Sequence, residues 1–323
     1  MNIARKADLT HPIIVYDMNP ERTQDFSARV SHTVVAQSIV EAASLADTIC
    51  YSVPDDKASL SVLSEILRAD LKGKLVVDFG TNHPDTTNQE ARLVQQRGGE
   101  FVACPVFGVP ARAQAGDLIA VLSGSAPAVQ QVQKFTKGVI GDREIPLAGE
   151  DPGRATQLKV LGNSLILSMV EALAEAFVVA EKCGLGTLDL LRMVELMFPG
   201  PFVAYATRFQ TGDYYQHDPP IFSVDLARKD ARHAQSIAHE AGVTMKNVEL
   251  ADSYLRVEQD ARGSSGELAG IYGAKRLEAG LAYKNRAYKN GAHTNGAYTN
   301  GAYTNGVHTN GEYKNGAYEN GSR

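Results

Sequence analysis

Short apolar runs alternate with helical patterns along the first half of the chain. Five runs rich in β-forming residues are continuously apolar rather than alternating: IIVYD (13–17), TICYSV (48–53), KLVVDF (74–79), EFVACPV (100–106) and LIAVLSG (118–124). Continuous apolar strands are typical of a sheet covered by helices on both faces. The pattern therefore predicts an α/β domain with a doubly wound sheet over residues 1–150.

The pattern changes near residue 151. From about residue 155 to residue 282 the chain shows helical periodicity and turn signals, and no segment there predicts a strand. We expect an all-α domain over residues 151–281. Its first helix is predicted from Ala155 to Cys183, about eight turns at 3.6 residues per turn. A helix of this length can reach an interdomain cleft at one end and carry a subunit contact along its flank.

A five-residue unit is repeated eight times from Ala282 to Gly321, as in AYTNG. Five residues match neither the helix nor the strand period, and Asn-Gly steps favour isolated turns. A pentapeptide coil is the folded alternative, but such coils need an inward Leu or Phe where this repeat has Tyr or His. Low aliphatic content with many Gly and Asn residues predicts a disordered tail over residues 282–323, either without a role or acting as a flexible tether.

Composition narrows the possible partners and location. With 323 residues, of which 44% are hydrophobic, the chain can bury a core in each of two domains. The net charge is −5, and no stretch before residue 280 is basic enough to bind nucleic acid. The longest apolar run, 161–180, is interrupted by Asn163, Glu171 and Glu175, which favours a packed helix over a membrane span. We expect a cytoplasmic protein that binds neither nucleic acid nor membrane.

The cysteines and histidines do not form a recognisable motif. Cys50, Cys104 and Cys183 are widely spaced in apolar segments, which is typical of reduced, buried thiols in an intracellular protein. His293 and His308 lie fifteen residues apart in the repeat tail. No disulfide framework and no metal site is predicted.

An acidic residue, Asp17, ends the first apolar run. In a dinucleotide-binding domain, the first strand leads into G-x-G-x-x-G, and the helix that follows binds the pyrophosphate at its N-terminus. An acidic residue at the end of the second strand receives the ribose hydroxyls, and Asp17 fits that role. It would favour NAD over NADP, because a 2′-phosphate would meet a carboxylate. Alternatively, residues 17–20 form only a turn, in which Asn19 caps a helix that begins at Pro20.

The first strand and phosphate loop of such a domain are not found before Ile13. The twelve preceding residues contain neither a glycine nor an apolar run, and NIARK resembles the end of a helix. We expect a Rossmann-like domain without its first strand, so that strands 13–17 and 48–53 either pair directly or leave an unpaired edge. Losing two or three charge-assisted hydrogen bonds to pyrophosphate, at roughly 1.5 to 3 kcal/mol each, would weaken NAD binding by about a hundredfold or more.

A lysine on the long predicted helix is the strongest chemical signal. Lys159 and Asn163 are four residues apart and share a helix face, which continues through Ile166 and Val170. A lysine on an apolar face beside a cleft can be desolvated, which lowers its pKa and makes it a usable acid or base. Alternatively, it is a surface lysine that packs its stem and keeps its amine in water.

Taken together, these motifs resemble the β-hydroxyacid dehydrogenase family, which includes 3-hydroxyisobutyrate dehydrogenase and, more distantly, 6-phosphogluconate dehydrogenase. The resemblance runs from about Asn2 to Tyr272. It rests on IVYDMNPER, ADTICYSVPDD, LVVDFGTNHPDT, the stretch from Pro105 to Gly116, the K-x-x-x-N of the long helix, and FSVDLARKD.

The resemblance implies an NAD(P)-dependent oxidoreductase that transfers hydride between nicotinamide and a carbonyl or alcohol substrate. Lys159 would then be the general acid or base and Asn163 would orient the substrate. The implied cofactor contacts are Val53, Pro54, Thr81, Phe222 and Lys229, with Asp17 at the ribose. A small-molecule substrate and a homodimer or homotetramer are expected.

Ordinary structural roles are the alternative for most of these residues. Pro54 and Thr81 follow predicted strands and would serve as loop residues, Phe222 as a core residue, and Lys229 as a solvated helix charge. Imine reductases of similar architecture usually replace the lysine, so Lys159 favours carbonyl and alcohol chemistry.

The segment expected to hold the substrate carboxylate departs from the family. The family has P-V-S-G-G, whereas this chain has Phe107, Gly108 and Val109 in place of the last three residues. A carboxylate would find fewer donors and a more apolar wall there, so we expect a substrate that is larger or uncharged at that end.

The alternative function is a catalytically impaired, dehydrogenase-like binding or oligomerisation protein that lacks the phosphate loop.

Overall fold

The computed structural model describes residues 1–149 and 151–285, which fall in one compact unit. The strands are β1 (Ile13–Val15), β2 (Thr33–Val35), β3 (Thr48–Tyr51), β4 (Leu75–Asp78), β5 (Glu100–Ala103), β6 (Val106–Phe107), β7 (Ile119–Gly124) and β8 (Arg143–Ala148). The helices among and around them are α1 (Asn2–Lys6), α2 (Pro20–Arg29), α3 (Ile39–Leu45), α4 (Asp56–Ile66), α5 (Pro84–Gln96), α6 (Pro110–Ala115) and α7 (Ala126–Thr136).

From residue 153 onward the described chain is helical. The helices are α8 (Gly153–Lys182), α9 (Thr187–Met197), α10 (Pro201–Thr211), α11 (Asp213–Gln216), α12 (Val224–Glu240), α13 (Lys246–Arg262) and α14 (Ile271–Glu278). Two short 3₁₀ turns separate α13 from α14. The predicted fold class, a Rossmann-like α/β part followed by an all-α part, is confirmed.

The strands form two sheets. β1 and β2 are a parallel pair, and the larger sheet has the order β3-β4-β5-β7-β6, with β8 added on β7. β3, β4 and β5 are parallel, whereas β7 runs antiparallel to β5. Within the described chain β1 does not pair with β3, so of the two expected outcomes the structure shows the unpaired edge.

Three strands were not predicted, and each has a local reason. β2 is only three residues long and is largely exposed. β6 has two residues. β8, REIPLA, carries charged residues and Pro146. Among the described strands it pairs with β7 alone, so it lies at an edge of the sheet, where proline is tolerated.

Helix α8 joins the two parts of the molecule. Its first residue, Gly153, donates its backbone N–H to Asn88 Oδ1 at 2.8 Å, and a Cβ there would lie 2.8 Å from the carbonyl oxygen of Pro84. Glycine therefore lets α8 begin directly against α5. Near its other end, Phe177 packs edge-on to Phe209, and Phe209 stacks on Tyr272 at 4.5 Å. One helix thus contributes to the interdomain contact and to the helical core.

Of the described helices, only α8 is long and apolar enough to cross a membrane, and 61% of its most apolar stretch is buried inside the protein. The core helix of a soluble protein can have the same length and composition, so this observation is weak evidence for a membrane span. The cytoplasmic location stays a prediction.

Two expectations for the chain are corrected by the structure. All three cysteines are free, as expected, but only Cys104 is buried, whereas Cys50 and Cys183 are exposed. The repeat tail was expected to be disordered from residue 282, yet Tyr214 Oη donates to the Tyr283 carbonyl at 2.6 Å and Asn285 Nδ2 donates to the Phe209 carbonyl at 2.6 Å. The expectation for residues 286–323 lies outside the described residues.

A buried pair of carboxyl groups lies on β4 and α5. Glu90 on α5 is 0% exposed and Asp78 at the end of β4 is 1% exposed. Burial raises the pKa of Glu90 to about 8, and the neighbouring Asp78 charge adds to the shift. Burial also raises the pKa of Asp78, although hydrogen bonds from the Gly80 backbone and the Asn82 amide oppose it.

Replacing Glu90 by Gln should flatten the pH dependence of stability. Because the folded-state pKa of Glu90 lies above its ordinary value of 4.5, the folded chain holds a proton that the unfolded chain loses, and the free energy of unfolding falls as pH rises towards about 8. Glu90→Gln should remove roughly 3 to 4 kcal/mol of that loss, measured by urea unfolding at pH 5 and pH 8. The exposed Glu41→Gln is the control, and an unchanged pH slope in Glu90→Gln would contradict the assignment.

Candidate active site

The loops after β3 and β4 meet helix α12 through Lys229. Its Nζ donates to the carbonyl oxygens of Pro54, at 3.1 Å, and of Thr81. The same nitrogen lies 3.4 Å from Asp230 Oδ1, and the side chain is buried. The alternative of a solvated helix charge is therefore wrong for Lys229, which links two strand ends to the helical part. Contact with a cofactor stays a prediction for Pro54, Thr81 and Lys229.

Lys159 lies in the same region on α8, and its side chain is buried. Lys159 is 8% exposed, and its Nζ donates to Asn163 Oδ1 at 3.0 Å. The Asn163 amide donates in turn to Asp230 Oδ2 at 2.6 Å. The alternative of a surface lysine with its amine in water is therefore wrong. Helices α8 and α12 share one polar chain from Lys159 through Asn163 to Asp230.

The surroundings of Lys159 change its protonation. Burial lowers the pKa of Lys159 to about 8, the nearby Asp230 carboxylate opposes this, and the Lys229 charge lowers it further. An amine with a pKa in this range populates both protonation states near neutral pH, as a group that donates and accepts protons requires.

Phe107 lies against this amine. Lys159 Nζ is 4.2 Å from the centroid of the Phe107 ring, a cation–π contact. The ring also occupies the space beside Gly162, where a Cβ would lie 2.5 Å from Phe107 Cζ. Of the three residues predicted to contact the substrate, Phe107 is the one with a contact to Lys159, whereas Gly108 is exposed and Val109 is the residue preceding α6.

Asp17 follows β1 and is solvent-accessible. Its Oδ1 accepts the Asn19 backbone N–H at 2.8 Å, and Asn19 caps α2, which begins at Pro20 as the turn interpretation predicts. Arg22, which the sequence interpretation missed, places Nη1 3.6 Å from Asp17 Oδ2. The turn is thus present, and contact of Asp17 with a ribose stays a prediction.

The two remaining predicted residues are half-buried. Val53 packs against the core under α4 and α5. Phe222 packs against the helical core, and its carbonyl accepts the Leu268 backbone N–H at 2.9 Å. The core interpretation therefore holds for Phe222, and cofactor contact for both residues stays a prediction.

Two more contacts at this junction were not identified from the sequence. Asp230 was part of FSVDLARKD without a role of its own, although a Lys-Asp pair in a segment of helical periodicity could have drawn attention to it. His233 Nε2 lies 3.0 Å from Asp56 Oδ2 and joins α12 to the start of α4. Burial of Asp56 acts to raise its pKa. Hydrogen bonds from the His233 ring and the His83 backbone outweigh this effect and lower the pKa of Asp56 below its usual range.

The described residues contain one group that could hold a metal ion, formed by His83, Asp85 and Glu240. Their candidate ligand atoms lie within 4.8 Å of one another, and both carboxylates are exposed. Exposed acidic groups often lie together without an ion, so the expected absence of a metal site stays a prediction.

The described residues fit part of a dinucleotide. Asp17 and the backbone at Pro54 and Thr81 lie after strands, where ribose and nicotinamide bind in such sheets. A glycine-rich turn before a helix is needed for the pyrophosphate, and the first 72 residues contain no glycine. The described residues therefore fit the ribose and nicotinamide part of the dinucleotide.

Two family profiles match the chain in sequence order. The NAD binding domain of 6-phosphogluconate dehydrogenase matches residues 2–140. The NAD-binding region of NADP-dependent 3-hydroxyisobutyrate dehydrogenase matches residues 153–272. The junction between the two matches coincides with β8 and the start of α8.

Individual proteins are similar to this chain as well. The NADH-dependent oxidoreductase ucdB of Aspergillus ustus is 33% identical over 283 residues, which is 87% of this chain and 96% of that protein. The 3-hydroxyisobutyrate dehydrogenase structure from Salmonella typhimurium has a TM-score of 0.73 at 18% identity, covering 84% of this chain and 93% of that one. The enzyme from Mycobacterium tuberculosis gives a TM-score of 0.70 at 21% identity, covering 84% and 92%.

A Rossmann-like domain followed by a helical domain, matched in order by two nicotinamide-binding profiles, defines an NAD(P)-dependent oxidoreductase. The relative that spans nearly the whole chain narrows the class further. The chain belongs to the β-hydroxyacid dehydrogenase family, as the sequence motifs implied.

Replacing Lys229 by Met should destabilise the protein, because the change leaves two loop carbonyls and Asp230 without their cation. We expect the free energy of unfolding to fall by roughly 2 to 5 kcal/mol, measured by urea unfolding. The exposed Lys246→Met should change it by less than about 0.5 kcal/mol. Equal stability of the two variants would show that the Lys229 contacts contribute nothing.

Proposed function

We propose that this protein transfers hydride between NAD(P) and a carbonyl or alcohol substrate, with Lys159 as general acid and base. The observation that carries the proposal is the buried Lys159 amine, hydrogen-bonded to Asn163 and lowered in pKa to about 8. A small-molecule substrate follows from the family.

In the reductive direction, a bound NAD(P)H would supply the hydride that the carbonyl carbon accepts. Lys159 Nζ donates a proton to the carbonyl oxygen, so that the ammonium becomes an amine and the carbonyl becomes an alcohol. In the oxidative direction, the neutral amine of Lys159 removes the hydroxyl proton. Lys159 can serve both directions because its pKa is close to neutral pH.

Asn163 and Asp230 support this proton transfer by orientation. The Asn163 amide donates to Asp230, which leaves the Asn163 oxygen facing Lys159. The Lys159 ammonium therefore has one N–H fixed on Asn163, and within the described residues its other N–H groups have no hydrogen-bond partner and can point at a substrate oxygen. Asn163 would also orient the substrate, as the family resemblance implies.

We favour NAD as the cofactor, with NADP as the alternative. Asp17, two residues after β1, supports NAD, because its carboxylate would repel a 2′-phosphate. The relative from Aspergillus ustus is named as NADH-dependent. Arg22 supports the alternative, since its guanidinium lies close enough to Asp17 to offset that charge.

Replacing Lys159 by Gln should lower turnover by about a hundredfold or more, because the proton donor is lost. NADH and NADPH affinities, followed by coenzyme fluorescence in this tryptophan-free chain, should stay nearly unchanged. In the unaltered protein, the rate of aldehyde reduction should fall as pH rises through about 8, and the rate of alcohol oxidation should rise over the same range.

Lys182→Gln, at the far end of the same helix, is the matched control for the Lys159 variant. If Lys159→Gln keeps the full rate, or if its reduction profile falls at the same pH, Lys159 is not the proton donor.

A dehydrogenase-like binding or oligomerisation protein is the second candidate function. It is favoured by the sequence before Gly73, which contains no glycine and so offers no glycine-rich turn for a pyrophosphate within the residues given. The two candidates differ in one measurement: the first requires saturable NADH or NADPH binding by the purified protein, and the second requires none.

We also propose that the protein is a homo-oligomer that associates through α8. Five exposed apolar residues, spaced to fall on one face of this helix, run along its length: Leu161, Leu165, Ala172, Ala176 and Val179. Leu165 is 71% exposed and Val179 is 62% exposed. An apolar stripe of this extent, open to water, is typical of a surface that another subunit covers.

Replacing Leu165 by Glu should shift the protein towards the monomer, because the charge would be buried without a partner in the subunit contact. Light scattering after gel filtration measures the mass directly. Leu45→Glu, an equally drastic change at an exposed site on α3, should leave the mass unchanged. A monomeric unaltered protein, or an unchanged mass for Leu165→Glu, would contradict the proposed contact.

A further inference from the structure

The position of Phe107 depends on a second residue far away in sequence. The ring covers Lys159 Nζ at 4.2 Å from its centroid and lies over the α8 backbone at Gly162. A Cβ at position 162 would lie 2.5 Å from Phe107 Cζ and 2.6 Å from Cε1. Only glycine leaves room for the ring in this position. The strand that carries Phe107 and the helix that carries Lys159 are therefore matched to each other by shape.

Two cations of this region are already engaged and are poorly placed to bind a carboxylate. Lys229 donates to two loop carbonyls and lies beside Asp230. Arg112, on the helix that follows Phe107, is paired with Asp117, with Nε 3.0 Å from Oδ2. A substrate carboxylate placed against Phe107 would therefore meet an apolar ring, and the cation beside that ring is Lys159, whose N–H groups the carbonyl oxygen needs.

The face of an aromatic ring favours a different kind of ligand. Flat unsaturated groups stack on a phenyl ring, and such pairs gain more than their buried area alone would give. Lys159 Nζ lies over one face of the Phe107 ring, so a planar group that packs offset or edge-on against the ring, beside the amine, keeps its carbonyl oxygen close to Lys159.

We propose that Phe107 forms an aromatic subsite, which takes an uncharged, planar aromatic or conjugated carbonyl compound as substrate. The proposal rests on the proposed oxidoreductase function and deepens it by naming the substrate class. Phe107 sets the preference, and Gly162 is the positioning residue that lets the ring lie over Lys159. Hydride is added to the carbonyl carbon and the Lys159 proton to its oxygen, so the product is the corresponding alcohol.

The experiment compares three aldehydes with NADH or NADPH: benzaldehyde, which is aromatic and neutral, isobutyraldehyde, which is aliphatic and neutral, and glyoxylate, which carries a carboxylate. The unaltered protein should have its highest kcat/KM with benzaldehyde. In Phe107→Ser, the ratio of kcat/KM for benzaldehyde to that for glyoxylate should fall at least tenfold. Phe107→Leu keeps an apolar wall without a ring, so the ratio of benzaldehyde to isobutyraldehyde should fall by about three- to tenfold.

Two further variants separate the ring from general damage. Gly162→Ala should displace the Phe107 ring and lower the benzaldehyde preference in the same direction as Phe107→Ser. Phe198→Ser, at the end of α9, makes the same change at another phenylalanine and should leave all three ratios unchanged. NADH affinity should be the same in every variant, because none of these residues has been placed at the cofactor.

A binding measurement makes the test independent of turnover. Saturation-transfer NMR should show contact of benzyl alcohol with the unaltered protein, weaker contact of glycolate, and loss of the benzyl alcohol signal in Phe107→Ser. A preference for glyoxylate in the unaltered protein, or ratios that do not move in Phe107→Ser, would overturn the subsite. If no aldehyde is reduced at all, the oxidoreductase function fails, and the NMR comparison alone supports or overturns the subsite.

Discussion

The geometry of the site depends on the hydrogen bonds that the ammonium group of Lys229 donates. This group draws the carbonyl ends of two strand loops, at Pro54 and Thr81, onto helix α12. Peptide carbonyls at the carboxyl edge of a sheet are otherwise left to solvent, and a buried cation satisfies both at once. Because Asp230 follows Lys229 directly, the same contact places a carboxylate where it can hold Asn163, and through Asn163 the amine of Lys159.

The lowered pKa of Lys159 is therefore a product of packing rather than of residue type. A lysine four residues from an asparagine is common on helices, and in water it would keep its usual pKa. Here the Phe107 ring covers the amine on one side, while Asn163 supplies its hydrogen bond. Asp230 limits how far the pKa falls, because its negative charge favours the ammonium form. In the proposed mechanism, proton transfer and substrate shape are thus linked through a single residue, Phe107.

Much of the architecture could be predicted because it follows from hydrophobic period alone. The five continuous apolar runs became β1, β3, β4, β5 and β7, and the 30-residue helix began within two residues of its predicted start. Strand direction has no such period, so the reversal of β7 was not foreseen. β8 carries charges and Pro146, features of an edge strand that hide it from a search for apolar runs.

The site residues could be predicted from the sequence, but most of their contacts could not. Lys159 and Asn163 could be proposed because their spacing is local, and Phe107 because it departs from a familiar motif. Their contacts could not, since Asp230 lies 67 residues from Asn163 along the chain. The hydrogen bonds of Lys229 to loop carbonyls were equally hidden, because backbone oxygens leave no trace in a sequence.

The anchoring of the first repeat unit has a practical consequence for the boundary of the folded protein. The Tyr283 ring lies where Gly273 has no side chain, and its hydroxyl donates to the buried Glu258. Cutting the chain before Ala282 would therefore uncover part of the helical core and leave a carboxyl group inside the protein without its hydroxyl partner. A tail-free form that represents the intact enzyme has to retain Asn285, so that the difference between the two proteins is the repeats alone.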